Sequence, residues 1–100
     1  MSLFSRRLPD LVAGLPSDVQ ESEAAFDFRV KERFPAGTSE DAVKAELRQQ
    51  GFDLLPAYDG VQDATFYRKR FPFTTLWSVR WRANSGMITD VWGVHGIRGP

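Results

Sequence analysis

The side chains best able to do chemistry in this chain are one histidine, three aspartates spread over eleven positions and a set of arginines interleaved with aromatic rings. His95 has no other histidine to work with, and spacing places no serine, cysteine or carboxylate beside it to complete a nucleophile and base. A structural or solvent-facing role is expected for it. Asp53, Asp59 and Asp63 could share a cation, yet their spacing matches no calcium loop. Phosphate loops, dinucleotide fingerprints, zinc-binding helices and nucleophile elbows are absent. The expectation is a protein with no enzymatic activity, no cofactor and no bound metal.

The arginines suggest binding instead. Arg68, Lys69 and Arg70 with Arg80 and Arg82 would make a basic sheet surface, and Tyr67 and Trp92 could stack on bases, so a weak nucleic-acid or anionic-lipid binder is one reading. Formal net charge is zero, which argues against strong phosphate binding. Charge is nevertheless uneven, because residues 1–63 hold seven Lys or Arg against twelve Asp or Glu, and residues 64–100 hold six against one. The sheet is basic and the helices acidic. That asymmetry suits a binding footprint, or equally two halves that attract each other within one domain.

The elements that must position these residues centre on Thr75 to His95, which holds all three tryptophans. Val, Trp, Thr and Ile fit a pleated, half-buried surface, and Asn84-Ser85-Gly86 suits a three-residue hairpin loop closed by a left-handed Gly86. That loop sets Ala83 opposite Met87, Trp81 opposite Thr89 and Arg80 opposite Asp90. Side chains alternate across a strand, so Trp77, Val79, Trp81, Ala83, Met87, Thr89 and Val91 form a core face. The other face carries Leu76, Ser78, Arg80, Arg82, Ile88, Asp90, Trp92 and Val94, which is more apolar than a solvated sheet needs. A two-residue loop would shift the pairing by one and mix the faces, so it is not expected.

Upstream, Ser17 is a fair N-cap for a helix over about Asp18 to Arg33, with Val19, Phe26, Val30 and Phe34 on one stripe and Phe28 off it. Thr38-Ser39-Glu40-Asp41 reads as a cap at Thr38 with an acid three residues on, a capping box in its Asp version, opening a second helix around Val43 and Leu47 that Gly51 stops. Residues 56–63 read as a loop and Ala64 to Arg70 as a third strand before Phe71-Pro72-Phe73 interrupts. The expected fold is α+β, two helices on one face of a three-stranded antiparallel sheet in the order α-α-β-β-β. Residues 1–16, rich in leucine but broken by two prolines, are expected to be an arm packing on the sheet face around Trp92 or on a partner. Residues 17–100 would then be a single domain, since 100 residues leave no room for a second.

No cysteine is present, which excludes disulfides and thiolate metal sites. The longest apolar run near the N-terminus, Leu11 to Leu15, is too short to span a bilayer. The chain as written is expected to be soluble, in the cytoplasm or, if a leader precedes it, in the periplasm or envelope.

The helix start F-P-A-G-T-S-E-D-A-V, its end Q-Q-G-F and the final strand G-M-I-T-D-V-W-G resemble the small BamE-like (SmpA-like) domains of bacterial envelopes, over about residues 34–95. The resemblance implies an α-α-β-β-β accessory module that binds protein or lipid and does no catalysis. The leading expectation is a protein-interaction module that binds a protein partner or a second copy through Leu76, Arg80, Arg82, Ile88 and Trp92, because Trp and Arg most often carry interface energy. The alternative is an inhibitor or immunity-type protein whose acidic helix face, Glu21, Glu23, Asp27, Glu40 and Asp41, blocks a basic site.

Overall fold

The computed structural model describes residues 8–99. Two helices, α1 (Val19–Arg33) and α2 (Glu40–Gln49), precede four strands, β1 (Asp53–Tyr58), β2 (Val61–Arg70), β3 (Phe73–Asn84) and β4 (Met87–Arg98). The strands form one antiparallel sheet in the order β1-β2-β3-β4, so the fold is α+β with four strands rather than the expected three. The extra strand is β1, whose second half, Pro56 to Tyr58, falls in the stretch that read as a loop. Its pairing with β2 is regular from Asp53 to Leu55 and then shifts before Tyr58. Proline is tolerated there because the strand lies at the sheet edge, where a missing N–H breaks no ladder. No helix among the described residues is long and apolar enough to cross a membrane.

Asp18, not Ser17, caps α1, its Oδ1 accepting the Glu21 N–H at 2.9 Å. The buried stripe is Ser22, Phe26 and Val30, continued by Phe34 beyond the helix end, whereas Val19 is exposed. Ser22 takes that place because α1 lies close to the sheet. Gly93 of β4 sits directly beneath the helix, and a Cβ there would stand 2.7 Å from Phe26 Cδ2 and 3.0 Å from Asp27 Cα. At this distance the helix reaches the strand's outer margin with its own side chains. Asp27 Oδ1 accepts the Gly93 N–H at 2.9 Å, and Glu23 Oε2 accepts the His95 N–H at 3.0 Å. These carboxylates are four residues apart on one helix face, and the amides are two residues apart on one strand edge.

Toward the β3–β4 turn the edge is closed by the link between the helices. The Gly37 N–H donates to the Ile88 carbonyl, the Ile88 N–H to Thr38 and the Glu40 N–H to Gly86, each at 2.9 Å. Ser39, not Thr38, caps α2, its hydroxyl accepting the Ala42 N–H while Thr38 Oγ1 donates to the Pro35 carbonyl, and the Gly51 stop is as expected, φ 97° turning the chain so that the Phe52 N–H meets the Leu47 carbonyl at 2.9 Å.

The β3–β4 loop corrects the expected register. Ser85 and Gly86 alone form the turn, at φ 54° and 80°, between the paired residues Asn84 and Met87, the two-residue geometry whose twist suits a hairpin. Ala83 then faces Ile88 while Arg82 faces Asp90, leaving Thr89 as an extra unpaired residue. This bulge absorbs the shift that the shorter loop creates. Ile88 therefore points into the core at 1% exposure, and Met87 and Thr89, expected inside, are exposed. Past the bulge the parity returns to the expected one, with Trp77, Val79, Trp81 and Val91 buried.

Residues 8–16 do not lie on the face around Trp92. Leu11 and Val12 join the core beside the helices, and Leu8 and Leu15 pack against it. The Val12 and Ala13 N–H groups donate to the Pro9 carbonyl, and Arg29 Nη1 donates to the carbonyls of Asp10, Leu11 and Ala13 at 3.3, 3.2 and 2.7 Å. One arginine thus gathers the oxygens that a single helical turn leaves unpaired. The expected contacts of Met1 to Arg7 lie outside the described residues.

At the far end of the core, His95 stacks on Trp77 with ring centroids 4.8 Å apart and planes 9° from parallel. Neither imidazole nitrogen makes a hydrogen bond of ordinary geometry. Burial pushes the His95 pKa below its usual value, opposed by the Val19 backbone and the Glu23 carboxylate. The fold thus favours the neutral ring, while the unfolded chain takes up a proton near pH 6.5. Stability should be highest above about pH 6.5 and fall as the pH drops through that value toward the lower folded-state pKa. Urea denaturation in steps from pH 7.5 downward checks this, and His95→Gln should remove that part of the slope. The close packing at Gly93 gives a second expectation. Gly93→Ala should cost about 1–3 kcal/mol through overpacking beneath α1, read as a lower urea midpoint, and an unchanged midpoint would show that the helix can lift away without cost.

Candidate functional site

The sheet has one face against the helices and the arm, and no described element covers the other. On that outer face the pairing sets side chains in rows across the strands. Leu55, Asp63, Arg80 and Trp92 form one row, Asp53, Thr65, Ser78 and Val94 the next, and Tyr67, Leu76 and Gly96 the third. The middle row has the smallest residues at its centre. Thr65 and Ser78 are buried there although they face away from the core, because the larger side chains of the flanking rows close over them. Burying two hydroxyls is costly unless they bond. Thr65 Oγ1 lies 2.8 Å from Ser78 Oγ and donates to Asp63 Oδ1 at 2.8 Å, and Asp63 Oδ2 accepts from Arg80 Nε at 3.2 Å.

Four of the five residues expected to bind a partner share this face. Leu76, Arg80 and Trp92 are half-buried and Arg82 is exposed. The fifth, Ile88, is on the core side and offers nothing to a partner, for the reason of the bulge at Thr89. Arg82 rather than Arg80 meets Asp90, with Nη1 3.2 Å from Oδ2. The same guanidinium stands 5.2 Å from the centroid of the Trp92 ring, a cation–π distance. Trp92 is thus held from one side by an arginine and shares a shallow depression of about 350 Å³ with Pro56, Tyr58, Asp63 and Arg80. Tyr58 stands 83% exposed at its rim.

The basic sheet surface does not form as one patch. Arg68 pairs with Thr75 and Arg70 with Phe73, which puts both on the helix side, whereas Lys69, Arg80 and Arg82 face outward. A run of three cations on a strand must divide between its faces. The aspartate trio does not converge either, and among the described residues no three His, Cys, Asp or Glu side chains gather as a metal site.

The acidic helix face is largely engaged within the chain. Glu23 and Asp27 accept backbone N–H groups of β4, Asp27 also pairs with Lys31 at 2.9 Å, and Glu40 Oε2 accepts from Trp81 Nε1 at 2.9 Å. Glu21 and Asp41 remain exposed.

Sequence reasoning did not find the Asp63–Thr65–Ser78 chain or Tyr58. The available signal was the alternation of Asp63, Thr65 and Tyr67 on one strand, which reads as an outer face once the strand is extended back to Val61.

Trp77 and Trp81 are buried and Trp92 is half-buried, so the outer face carries its own optical reporter. Trp92→Phe should remove most of the acrylamide-quenchable fluorescence and leave a poorly quenched remainder. Equal quenching before and after the change would place another indole at the surface. Compared with protein-family models, with curated proteins and with solved structures, the chain matches none.

Proposed function

We propose that this chain is a non-enzymatic interaction module that binds a protein partner through its outer sheet face, with Leu76, Arg80, Arg82 and Trp92 as anchors. The observation that carries the reading is the state of that face. It is uncovered by any described element, yet its centre is fixed by the buried Thr65–Ser78 pair and by the Arg80–Asp63 link. Side chains already held in place lose little freedom on binding, which leaves more of the contact energy as affinity. Arg80 uses Nε toward Asp63 and Arg82 uses Nη1 toward Asp90, so each guanidinium keeps further N–H donors for a carboxylate on the partner. A surface that joins apolar groups to carboxylates is the complement this face fits. The resemblance to BamE-like domains supports an accessory role, to which β1 is an addition, and a bacterial envelope setting belongs to the same proposal.

The inhibitor reading has less support, because three of its five acids already accept hydrogen bonds from the chain itself. Charge reversal separates the two readings. With a partner identified by pull-down from the native source, Arg82→Glu and Trp92→Ala should each weaken binding by about 2 kcal/mol or more in calorimetry. Glu21→Lys and Asp41→Lys should leave it within experimental error. The opposite pattern would reject the outer face and support the acidic one.

A further inference from the structure

A second surface lies at the end of the β2–β3 hairpin, away from Trp92. The strands pair as far as Arg70 with Phe73, and Phe71 with cis-Pro72 makes the turn. Phe71 is 99% exposed, Phe73 50% and Ile97 51%. Phe73 and Ile97 lie on the helix side of the sheet, by their pairing with Arg70 and Thr75. They extend past His95, where the described hydrogen bonds from α1 to β4 end. Phe73 and Ile97 continue the inward alternation of β3 and β4, Ile97 lining a groove with Leu15 and Trp77, whereas Phe71 stands beyond the core altogether. Arg68, Lys69 and Arg70 stand immediately behind this apolar group, and none of them takes part in an ion pair among the described residues. The one acid within residues 64–100, Asp90, is at the opposite end of the sheet, beside Arg82.

We propose that this hairpin tip inserts Phe71 and Phe73 into the surface of an anionic lipid bilayer, with Arg68, Lys69 and Arg70 at the depth of the headgroups. A convex apolar point backed by cations matches an interface in which hydrocarbon lies below negative charge. The aliphatic stems of arginine and lysine let the charges reach outward while the rings go down. Nucleic acid fits less well, because Pro72 and Ile97 beside the two phenylalanines offer no π face to a base and the cations lie behind the rings rather than along a groove that would track a backbone. The tip and the protein-binding face are separate surfaces, so either assignment can fail without the other.

Co-sedimentation of the full chain with vesicles tests the proposal. Binding is expected at low salt to equimolar phosphatidylcholine and phosphatidylserine and not to phosphatidylcholine alone. Changing Arg68, Lys69 and Arg70 together to Gln should lower the partition coefficient on the order of a hundredfold, at about fivefold per charge. Phe71→Ser with Phe73→Ser should lower it about a hundredfold or more, and Phe71→Ser alone, at a fully exposed position, keeps the fold intact for comparison by near-ultraviolet circular dichroism. Trp92→Ala should bind vesicles as the parent does. Absence of binding at low salt, equal binding to neutral vesicles, or full binding by the phenylalanine variants would overturn the proposal. So would a single-stranded oligonucleotide that binds through the same residues and displaces the vesicles.

Discussion

The structure depends on how closely α1 can approach β4. A strand at the margin of a sheet leaves a row of amides that must find acceptors or stay wet. Here the helix supplies the acceptors, but only because Gly93 has no side chain to hold it off. Phe26 settles onto that glycine, and Asp27 and Glu23 then reach the amides of Gly93 and His95. Packing and polar satisfaction are one constraint at this point. The same approach explains why a small polar residue, Ser22, occupies the buried stripe of α1 in place of a larger apolar one.

That arrangement changes the meaning of the charge asymmetry. The acidic first half and basic second half do meet within one domain, but mainly through carboxylates on backbone amides and an indole N–H rather than through arginines. The cations of the second half are left for other uses, either on the outer face, where Asp63 and Asp90 orient two of them, or at the hairpin end. One composition-level observation thus divides into an internal role for the acids and an external role for the bases.

Much of the fold was legible in the sequence where local signals are strong. Helix bounds to within about a residue, the Gly51 stop, and the inward placement of Trp77 and Trp81 followed from caps and alternation. The missed strand, β1, carries Pro56, a residue excluded from paired interiors but not from edges. The hairpin error was subtler. A three-residue loop and a two-residue loop followed by a bulge both restore the same parity beyond Asp90, so the outward position of Trp92 came out right while Ile88 and Met87 exchanged faces. Spacing alone does not separate the two, because the choice rests on whether Ser85 can adopt a left-handed conformation and on the amide of Ile88 having Thr38 to meet. The arm's position depended on Arg29, whose three carbonyl contacts lie at least sixteen residues away in sequence.

The closure of the β4 margin by helix side chains and the interhelical link also limits what the protein can become. With that flank occupied as far as His95, leaving only Gly96 to Arg98 beyond it, a strand-length addition fits only beside β1, where Pro56 and the irregular pairing toward Tyr58 keep the template short. A sheet that can grow on one flank alone can at most join with one copy of itself, flank to flank. Two such copies use up both growing flanks, so strand addition stops at a pair and has no route to an endless fibre.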